Sequence, residues 1–567
     1  MTSIISKEKK GNAYYYAVRS QRVNGAPRIV WQKYLGTADA IVKRTEDARP
    51  PRPKEAVVCE AGAVAALYRI AQRLELVETI DRHVVKRDQG PSVGQYLLLA
   101  SINRALAPRS KRQIGAWYAN TSLARWWGFP EESFTSQRFW DHMDLVPESV
   151  IPVIEEDVAR TLVSKFGIEL GTLFYDTTNF FTYIDSFNDR STLAQRGKNK
   201  AHRNHLRQIG LALLVSGNFH VPVLHRTYAG QLNDATQFKV YCGELADVLE
   251  RITGEPADVT FVFDKGNISE EAFTELRARP LHFVTAVRCR DFPDLLSVPL
   301  EDYRPVETDD WPGVRSHRCE TMLHGEATTA VLAFSETLYT QQFATITREL
   351  AKCVTKLTDL ADGLKEWQAG KRQGSRPTEK SVAKRVAEIL SPQHMKDLVK
   401  TEITSQSGFP RLRFATDPAA LTHLANTELG RNFLVTDHTD WSEVDVIRAY
   451  RGQYHVEDAF RDMNQLDFLH FRPQFHWTDH KIRVHAFYCV LALTLITLLR
   501  RELFRGGIEM STHEMLDDLT KIKEVAVIYP SGTMAHRKDH VTLSRTSKRQ
   551  KQMIEMLDLS SLLPERG

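Results

Sequence analysis

Hydrophobic residues recur with two different periods along this 567-residue chain. Residues 61–165 show helical spacing, whereas residues 172–287 contain short apolar runs rich in β-branched and aromatic side chains. These runs predict strands at 172–175, 209–215, 221–228, 259–263 and 281–287, with helices between them at 235–252 and 270–278. Three strands, a helix, a strand, a helix and another strand form an α/β order, which requires helices packed on a mixed sheet.

Three local signals mark the N-terminal part of the chain. Residues 14–22 and 28–34 are rich in aromatic and β-branched side chains and flank Asn24-Gly25, which predicts a β-hairpin. The proline-rich run 49–54 cannot form a helix or a central strand and predicts a linker. Ser92 precedes the periodic residues 93–106 and is predicted to cap that helix.

A long segment at 302–432 interrupts the α/β order, which resumes with a strand predicted at 433–437. One continuous helix is predicted over 444–465 and an apolar helix over 482–499. We therefore divide the chain into an N-terminal β-hairpin region (1–48), a helical DNA-binding or dimerisation domain (55–165), a first core part (166–301), a partly β-stranded insertion domain (302–432), a second core part (433–510) and a C-terminal region (511–567).

The composition is that of an ordinary globular protein. Hydrophobic residues make up 42% and charged residues 26%, and the mean hydropathy of −0.35 argues against overall disorder. The net charge of +4 neither requires nor excludes a nucleic-acid partner. The six cysteines form no C-x-x-C pair, which favours a reducing cytosol.

No segment of the sequence has the properties of a membrane anchor. The N-terminus lacks the apolar core of a signal peptide. The longest uncharged apolar stretch, 486–499, is too short to cross a bilayer core of about 30 Å. It predicts a buried helix in a soluble intracellular protein.

Two aspartates directly follow predicted buried strands. Asp176 follows the run 172–175, and Asp264 follows the run 259–263. Functional side chains converge at the carboxyl ends of strands in an α/β sheet. A carboxylate in this place must stay hydrated, pair with a cation or bind a metal. Either aspartate could instead be only a turn or cap residue, so position alone leaves both interpretations open.

A third carboxylate lies in the helix predicted over 444–465. Steps of three, four and seven residues return to one helix face, which places on one polar stripe Tyr450, Gln453, Glu457, Arg461 and Asn464. A separate apolar stripe consists of Val456, Phe460 and Met463. Seven residues rise about 10 Å, so the polar stripe could follow several nucleotides with Glu457 at its middle.

The motifs around these carboxylates, taken in order, resemble the DDE transposases of bacterial insertion sequences. The similar branch, the insertion-sequence family four superfamily, has a Tyr-x-x-Arg-x-x-x-Glu-x-x-x-x-x-x-Lys signature, which Tyr450 and Glu457 match. Further similar segments are residues 175–178, 196–200, 206–211, 221–223, 229–234, 471–473 and 485–487, within a similarity that spans 173–499. Gln453 and Asn464 replace the arginine and lysine of the signature, which puts in doubt how this chain holds a transposon end.

The resemblance implies an RNase H-like core in which Asp176, Asp264 and Glu457 are the catalytic residues and bind two Mg²⁺ (or Mn²⁺) ions. It implies a DNA transposase that cleaves transposon ends and transfers the freed strand into target DNA by cut-and-paste transposition. The implied partners are the terminal inverted repeats, the target DNA and a second copy of the chain in the synaptic complex. The implied location is the bacterial cytoplasm, with no membrane contact.

DNA contacts are predicted on two segments. The first is the helix stripe, where the predicted contacts are Tyr450, Gln453, Arg461 and Asn464. The second is a basic set that follows the first catalytic strand in sequence: Lys198, Lys200, His202, Arg203 and Arg207. An exposed loop would explain the second set equally simply, but its position favours contact with phosphates.

Other chemistries fit the sequence less well. The segment Gly370-Lys371-Arg372 has the wrong spacing for a phosphate-binding loop. Four histidines lack a cysteine or acidic partner for a zinc site and are predicted to be structural or interfacial, namely His470, His476, His480 and His485. Two alternatives stay open: an RNase H-like DNA nuclease without strand transfer, and a catalytically silent DNA-binding relative.

Overall fold

The computed structural model describes most of the chain. The described residues are 2–23, 25–47, 53–86, 89–185, 187–199, 203–232, 234–256, 258–267, 269–308, 310–373, 375–406, 408–465, 467–472, 474–529 and 540–565.

The strands are β1 (Thr2–Lys9), β2 (Asn12–Val23), β3 (Ala26–Gly36), β4 (Glu55–Glu60), β5 (Thr172–Thr182), β6 (Gln195–Arg196), β7 (Arg207–Ser216), β8 (Pro222–Ala229), β9 (Val259–Phe263), β10 (Leu281–Val287), β11 (Arg304–Pro305), β12 (Val314–Leu323), β13 (Glu326–Ser335), β14 (Val399–Gln406), β15 (Phe409–Thr416), β16 (Arg431–Thr436), β17 (Lys523–Ile528) and β18 (His540–Leu543).

The α-helices are α1 (Ala38–Asp47), α2 (Gly62–Arg73), α3 (Leu76–His83), α4 (Val93–Leu106), α5 (Lys111–Ala119), α6 (Ser122–Trp127), α7 (Ser136–Asp144), α8 (Ile151–Phe166), α9 (Asp234–Thr253), α10 (Glu270–Arg277), α11 (Pro293–Leu296), α12 (Glu336–Gln368), α13 (Glu379–Ile389), α14 (Met395–Leu398), α15 (Pro418–Thr427), α16 (Glu443–Arg451), α17 (Tyr454–Asp462), α18 (Asp479–Arg505), α19 (Thr512–Thr520) and α20 (Lys548–Met556).

The chain divides into two compact units. The first comprises Met1–Arg73, Arg87–His142 and Leu498–Gly567, and the second comprises Leu74–Lys86 and Met143–Thr497. The first unit contains the predicted N-terminal and C-terminal regions and most of the predicted helical region. The second contains the predicted first core part, the segment 302–432 and most of the predicted second core part.

The first unit contains the predicted N-terminal hairpin and the helix that Ser92 is predicted to cap. Strands β2 and β3 form the hairpin, whose residue Asn24 lies outside the described residues, and β1 adds a third antiparallel strand. Ser92 caps α4 as predicted, in a reciprocal pair of hydrogen bonds with Gln95. A second sheet joins β4 to β17 and β18, so distant parts of the chain close this unit.

The second unit is built on a ten-stranded mixed sheet. Its order is β11-β12-β13-β16-β10-β9-β5-β7-β6, with β8 paired to β7. Strands β5, β9 and β10 run parallel to one another, and the other pairings are antiparallel. The predicted α/β order is confirmed. The bounds of β9 and β10 agree with the prediction to the residue, because both strands are short apolar runs that the sheet buries almost completely.

Strand β5 is longer than the sequence pattern predicts. It continues to Thr182, so Asp176 lies inside a strand rather than after one. The reason is the pairing with β7, which extends from Leu173 to Thr182, whereas the parallel pairing with β9 ends at Tyr175. Asp176 is thus the first residue of β5 beyond its parallel neighbour.

The segment 302–432, predicted as an insertion, has two parts in the structure. Strands β11 to β13 extend the ten-stranded sheet, where β13 pairs with β16. Helices α12 to α15 and the hairpin β14–β15 surround a separate hydrophobic core that includes Leu357, Met395 and Leu398. The body with its own core therefore begins after β13.

The helix predicted over 444–465 is interrupted. Helix α16 ends at Arg451, and α17 begins at Tyr454. A Cβ atom added to Gly452 would lie 2.5 Å from Cζ of Phe174 on β5. Only a glycine therefore allows the backbone at the junction to approach the sheet this closely.

The apolar helix predicted over 482–499 is confirmed as a buried helix. Helix α18 spans 27 residues and is the one described helix that is long and apolar enough to cross a membrane. However, 89% of its most apolar window is buried within the protein. Its hydrophobic side chains are therefore explained by packing.

Candidate active site at the carboxyl end of the parallel strands

Asp176 and Asp264 occupy matching places on two neighbouring strands. Tyr175 and Phe263 are partners in the parallel pairing of β5 with β9. Asp176 and Asp264 directly follow these two partners on the neighbouring strands. Neighbouring strands lie about 4.8 Å apart. Both aspartates are partly exposed, and Asp176 Oδ1 accepts a hydrogen bond of 2.7 Å from the backbone N–H of Thr177. The structure thus brings the first two predicted carboxylates together.

Helix α17 brings Glu457 to the same part of the sheet. The helix contacts β5, and Gly452 just before it packs on Phe174. Phe174 and Asp176 are two residues apart on the strand, so their side chains project from the same face. Glu457 lies in the first turn of α17 and is exposed.

Tyr450 connects two of the carboxylates. Its hydroxyl donates a hydrogen bond to Asp264, and Glu457 lies close enough to affect it electrostatically. Burial, followed by the negative charges of these two carboxylates, raises the pKa of Tyr450 well above its usual value. Tyr450 therefore stays protonated and acts as a hydrogen-bond donor inside the site. From the sequence, this tyrosine was predicted only as a DNA contact.

Asp264 and Glu457 lack a basic partner in the part of the chain that the structure describes. Neither has a lysine or arginine nitrogen within 4.0 Å there. A carboxylate without a basic partner stays hydrated or binds a cation. Carboxylate oxygens are the donors that Mg²⁺ and Mn²⁺ prefer, so the chemistry of the donor set fits these ions.

The three carboxylates are nevertheless not in tight ligand contact with each other. Among the described residues, a different group has three His, Cys, Asp or Glu side chains with ligand atoms all within 4.8 Å of one another: His282, Asp437 and His438. Mutual repulsion favours a wider spacing for three carboxylates than for an aspartate between two histidines.

The other residues of the predicted helix stripe have different environments. Gln453 is buried, with 7% of its surface exposed, because it lies at the junction of α16 and α17. Arg461 is exposed and forms an ion pair of 2.8 Å with Asp458. Asn464 donates to the backbone oxygen of Phe460 and accepts from Arg472. The break in the helix thus places Gln453 in the interior, and Arg461 and Asn464 remain at the surface.

The predicted basic set begins at the far end of β5. Arg207 is paired with Thr182, six residues from Asp176, which corresponds to about 20 Å along the strand. Lys198 and Arg203 are exposed, and the guanidinium of Arg203 lies 5.9 Å from the ring centre of Phe181. Lys200 and His202 lie outside the described residues. At this distance along the strand, Arg207 does not contact Asp176 directly.

A cleft that no sequence motif predicts opens beside Asp264. It has a volume of about 890 Å³, and its lining includes Lys265, Arg288, Arg290 and Tyr450. A hydrogen bond from Arg290 to Glu428 raises the pKa of this arginine, so its charge is compensated. Lys265 and Arg288 have no carboxylate oxygen within 4.0 Å among the described residues. A negatively charged ligand in the cleft would therefore meet two available cations next to the carboxylates.

A second group of titratable side chains lies at the opposite end of the parallel strands. Asp437 Oδ2 is 2.9 Å from Nδ1 of His282, and Asp437 Oδ1 accepts from the backbone N–H of Phe283. His438 Nε2 is 2.8 Å from the hydroxyl of Thr260. The two imidazole rings stack with their centres 4.3 Å apart. No sequence motif predicts this group, because Asp437 is 155 residues from His282.

Two of the four histidines that are predicted to be structural or interfacial form hydrogen bonds within the protein. His480 is 2.6 Å from the backbone oxygen of Val146. His485 bonds to the backbone oxygen of Phe471 and to the hydroxyl of Tyr488, inside the core. The predicted structural role is confirmed for this pair.

Similarity to known proteins is limited. No known protein family matches the sequence, and no curated protein matches it. A piggyBac transposase synaptic complex with hairpin DNA is similar at 11% identity with a TM-score of 0.38, over 88% of this chain and 85% of that chain. A Mos1 transposase paired-end complex with a left transposon end is similar at 11% identity with a TM-score of 0.15, over 35% of this chain and 60% of that chain. Because both TM-scores are below 0.5, these similarities support no conclusion about the function.

Proposed function

We propose that this protein is a DNA transposase of the DDE type, which cleaves DNA at transposon ends and transfers the freed strand into target DNA. The observation that supports this most directly is the Tyr450 hydroxyl, which joins Asp264 to the neighbourhood of Glu457. Asp176 lies at the matching position of the adjacent strand. In this proposal the three carboxylates form one site, although Asp176 and Glu457 are 281 residues apart in sequence.

The sheet is consistent with an RNase H-like core. Strands β8, β7 and β5 are antiparallel neighbours, and β9 and β10 continue the sheet parallel to β5. In this proposal, the carboxyl end of the parallel strands presents the aspartates, and α17 adds the glutamate. Side chains that converge at this end of an α/β sheet are held by backbone hydrogen bonds on both sides, which positions them rigidly.

Asp176, Asp264 and Glu457 would hold two Mg²⁺ or Mn²⁺ ions. Such ions supply stabilisation of the attacking and leaving oxygens during phosphodiester displacement. Tyr450 keeps Asp264 oriented through its hydroxyl, and its raised pKa excludes it as a general base. Lys265 and Arg288 on the wall of the cleft would hold the phosphates on either side of the scissile bond.

The partners in this proposal are the DNA of the transposon ends, the target DNA and a second copy of the chain, within a bacterial cytoplasm. The substituted signature positions change how the ends would be held. Gln453 is buried, so of the two departures Asn464 is the one positioned to meet a phosphate. Arg461, Lys198, Arg203 and Arg207 would supply charge for phosphates farther along the strand.

The decisive experiment measures cleavage of duplex DNA that contains the sequences flanking the gene. The variants Asp176→Asn, Asp264→Asn and Glu457→Gln should each lower Mg²⁺-dependent cleavage by about 10²-fold or more, because the bound ions contribute several kcal/mol to the transition state. Binding of the same DNA in Ca²⁺ should stay within about twofold. Asp458→Asn is the matched control, since Asp458 is the adjacent carboxylate and pairs with Arg461. Full cleavage by Glu457→Gln, together with abolished cleavage by Asp458→Asn, would reject the assignment.

A second assay separates transposase from nuclease. A duplex that already has a free 3′-hydroxyl at the transposon end is mixed with a supercoiled plasmid and Mg²⁺. A transposase joins the two molecules, and the same three variants abolish joining. Cleavage without any joining would instead support the nuclease alternative.

A further inference from the structure

The N-terminal sheet of this protein carries a strong positive charge. Residues 2–36, which form β1 to β3, contain one acidic side chain, Glu8, and seven basic side chains: Lys7, Lys9, Lys10, Arg19, Arg22, Arg28 and Lys33. The net charge of this segment exceeds the +4 of the whole chain, so the rest of the molecule is slightly negative. An anionic partner would therefore be attracted to this sheet.

The cations of the sheet are not used in ion pairs. None of the seven has a carboxylate oxygen within 4.0 Å in the part of the chain that the structure describes. Lys7 contacts Gln32 at 3.4 Å and the ring of Tyr16 at 5.1 Å. Arg19 lies over the ring of Trp31 at 5.9 Å. These contacts orient the side chains and leave their charge available.

The two faces of the sheet differ. Val18 is 1% exposed, and on its face the rings of Tyr16 and Tyr34 pack with centres 5.2 Å apart. On the opposite face, Arg19 is paired with Trp31 and Ala17 with Lys33. We call this face, formed by Arg19, Arg28, Trp31 and Lys33, the basic face. Its four side chains are all exposed.

We infer that the basic face is a binding surface for duplex DNA. Three strands measure about 10 Å across, and the major groove is about 12 Å wide and admits β-strands. Arg19, Arg28 and Lys33 would contact phosphates along the groove edges. Trp31 would lie against the base edges or the sugars, held in place by Arg19. That DNA is the partner rests on the proposed function; the basic face is the surface that would bind it.

The test measures binding of the full-length protein to a labelled duplex that contains the flanking sequences. Ca²⁺ replaces Mg²⁺ so that the DNA stays intact, and fluorescence anisotropy is recorded over a series of salt concentrations. The triple variant Arg19→Ala/Arg28→Ala/Lys33→Ala should lower the slope of log affinity against log salt by about 0.9 for each phosphate that the protein no longer neutralises, close to 3 for the three side chains. Affinity at physiological salt should fall at least about tenfold.

Two matched variants control this result. Lys380→Ala/Lys384→Ala/Arg385→Ala removes the same charge from the exposed side of α13 and should change the slope by less than one. Arg19→Lys/Arg28→Lys/Lys33→Arg keeps the charge and should retain the slope of the wild type, which attributes the weaker binding of the alanine variant to its lost charge. A basic-face triple variant that has the same slope as the α13 control would overturn the inference. So would a change in oligomeric mass, measured by light scattering, without a change in slope, because the face would then be an interface between copies.

The outcome for this surface is separable from that for the active site. If the basic face does not bind DNA, the triple variant still binds and cleaves, and Glu457→Gln remains inactive. If the proposed catalytic site is wrong, Glu457→Gln cleaves normally, and the salt slope of the triple variant still falls.

Discussion

Titratable side chains lie at both ends of the parallel strands, but their charges are compensated in different ways. At the amino end, Asp437 is matched by His282 and a backbone N–H, and His438 by Thr260. At the carboxyl end, the Tyr450 hydroxyl donates to Asp264 and lies close enough to Glu457 to be affected by its charge, and neither carboxylate has a basic side chain within 4.0 Å among the described residues. The first group thus has partners within the protein, whereas these two carboxylates have no basic partner among the described residues. Uncompensated charge of this kind is typical of functional sites rather than of structural ion pairs.

The largest expected effect comes from removal of a carboxylate at the uncompensated end. Wild-type protein should gain thermal stability in saturating Mg²⁺ or Mn²⁺, because an ion that binds only the folded state stabilises it by about 2.7 kcal/mol at 100 times its dissociation constant. Asp264→Asn should remove most of this gain, because it removes one of the carboxylates that would hold the ion. Differential scanning calorimetry with Mg²⁺ and with EDTA measures the gain for each protein. If the metal ions stabilise Asp264→Asn as much as the wild type, the carboxyl end does not bind them through Asp264.

The next effect concerns the tyrosine that organises the carboxyl end. Tyr450→Phe deletes the hydroxyl that donates to Asp264 and should lower DNA cleavage by about 10–100-fold, as is usual for residues that orient metal ligands. The concentration of Mn²⁺ needed for half-maximal cleavage should rise in parallel. Tyr454→Phe is the control, because Tyr454 is 55% exposed on α17. If both variants behave like wild type, Tyr450 has no positioning role.

A smaller effect is expected at the amino end of the parallel strands, as a change in the pH dependence of stability. Burial and the adjacent His282 lower the pKa of His438, although Asp437, Asp440 and Asp258 act in the opposite direction. The unfolded chain therefore binds a proton more readily than the folded protein does. The stability that neutral His438 contributes is complete above its usual pKa of about 6.5 and is lost as the pH falls below it.

His438→Gln removes this proton uptake. Between pH 7 and pH 5 its melting temperature should fall less than that of wild type, by on the order of 1–2 °C. Cleavage at pH 8 should be unaffected. His423→Gln, at an exposed position of α15, should follow the wild-type curve. A pH profile of His438→Gln identical to wild type would mean that the amino end does not titrate.

The smallest effect tests the surface of α17 beyond the carboxylates. Asn464→Lys adds a cation at an exposed position and should steepen the salt dependence of DNA binding by about one unit. Gln453→Arg would place its charge at a buried position and should lower stability without changing this slope. An unchanged slope for Asn464→Lys would show that this surface does not meet the DNA backbone.

The sequence alone determined the elements whose burial is visible in a short window. Strands β9 and β10 were predicted to the residue because their runs are apolar on both faces, as a strand covered on both sides requires. Ser92 and the hairpin β2–β3 were predicted because capping and turn chemistry is local. The positions of Asp176 and Asp264 after apolar runs and of Glu457 on a polar stripe, together with the family resemblance, predict the three carboxylates as one site.

Only the tertiary structure decided where these elements meet. The polar residues that extend β5 past Asp176 form a strand because β7 pairs with them, and Gly452 breaks the predicted helix because Phe174 lies against it. Tyr450 and Gln453 appeared equivalent on one helix stripe, yet one donates to Asp264 and the other is buried. Periodicity predicts which side of an element is apolar. The partner of each side chain depends on contacts between residues far apart in the chain, and no local pattern contains this information.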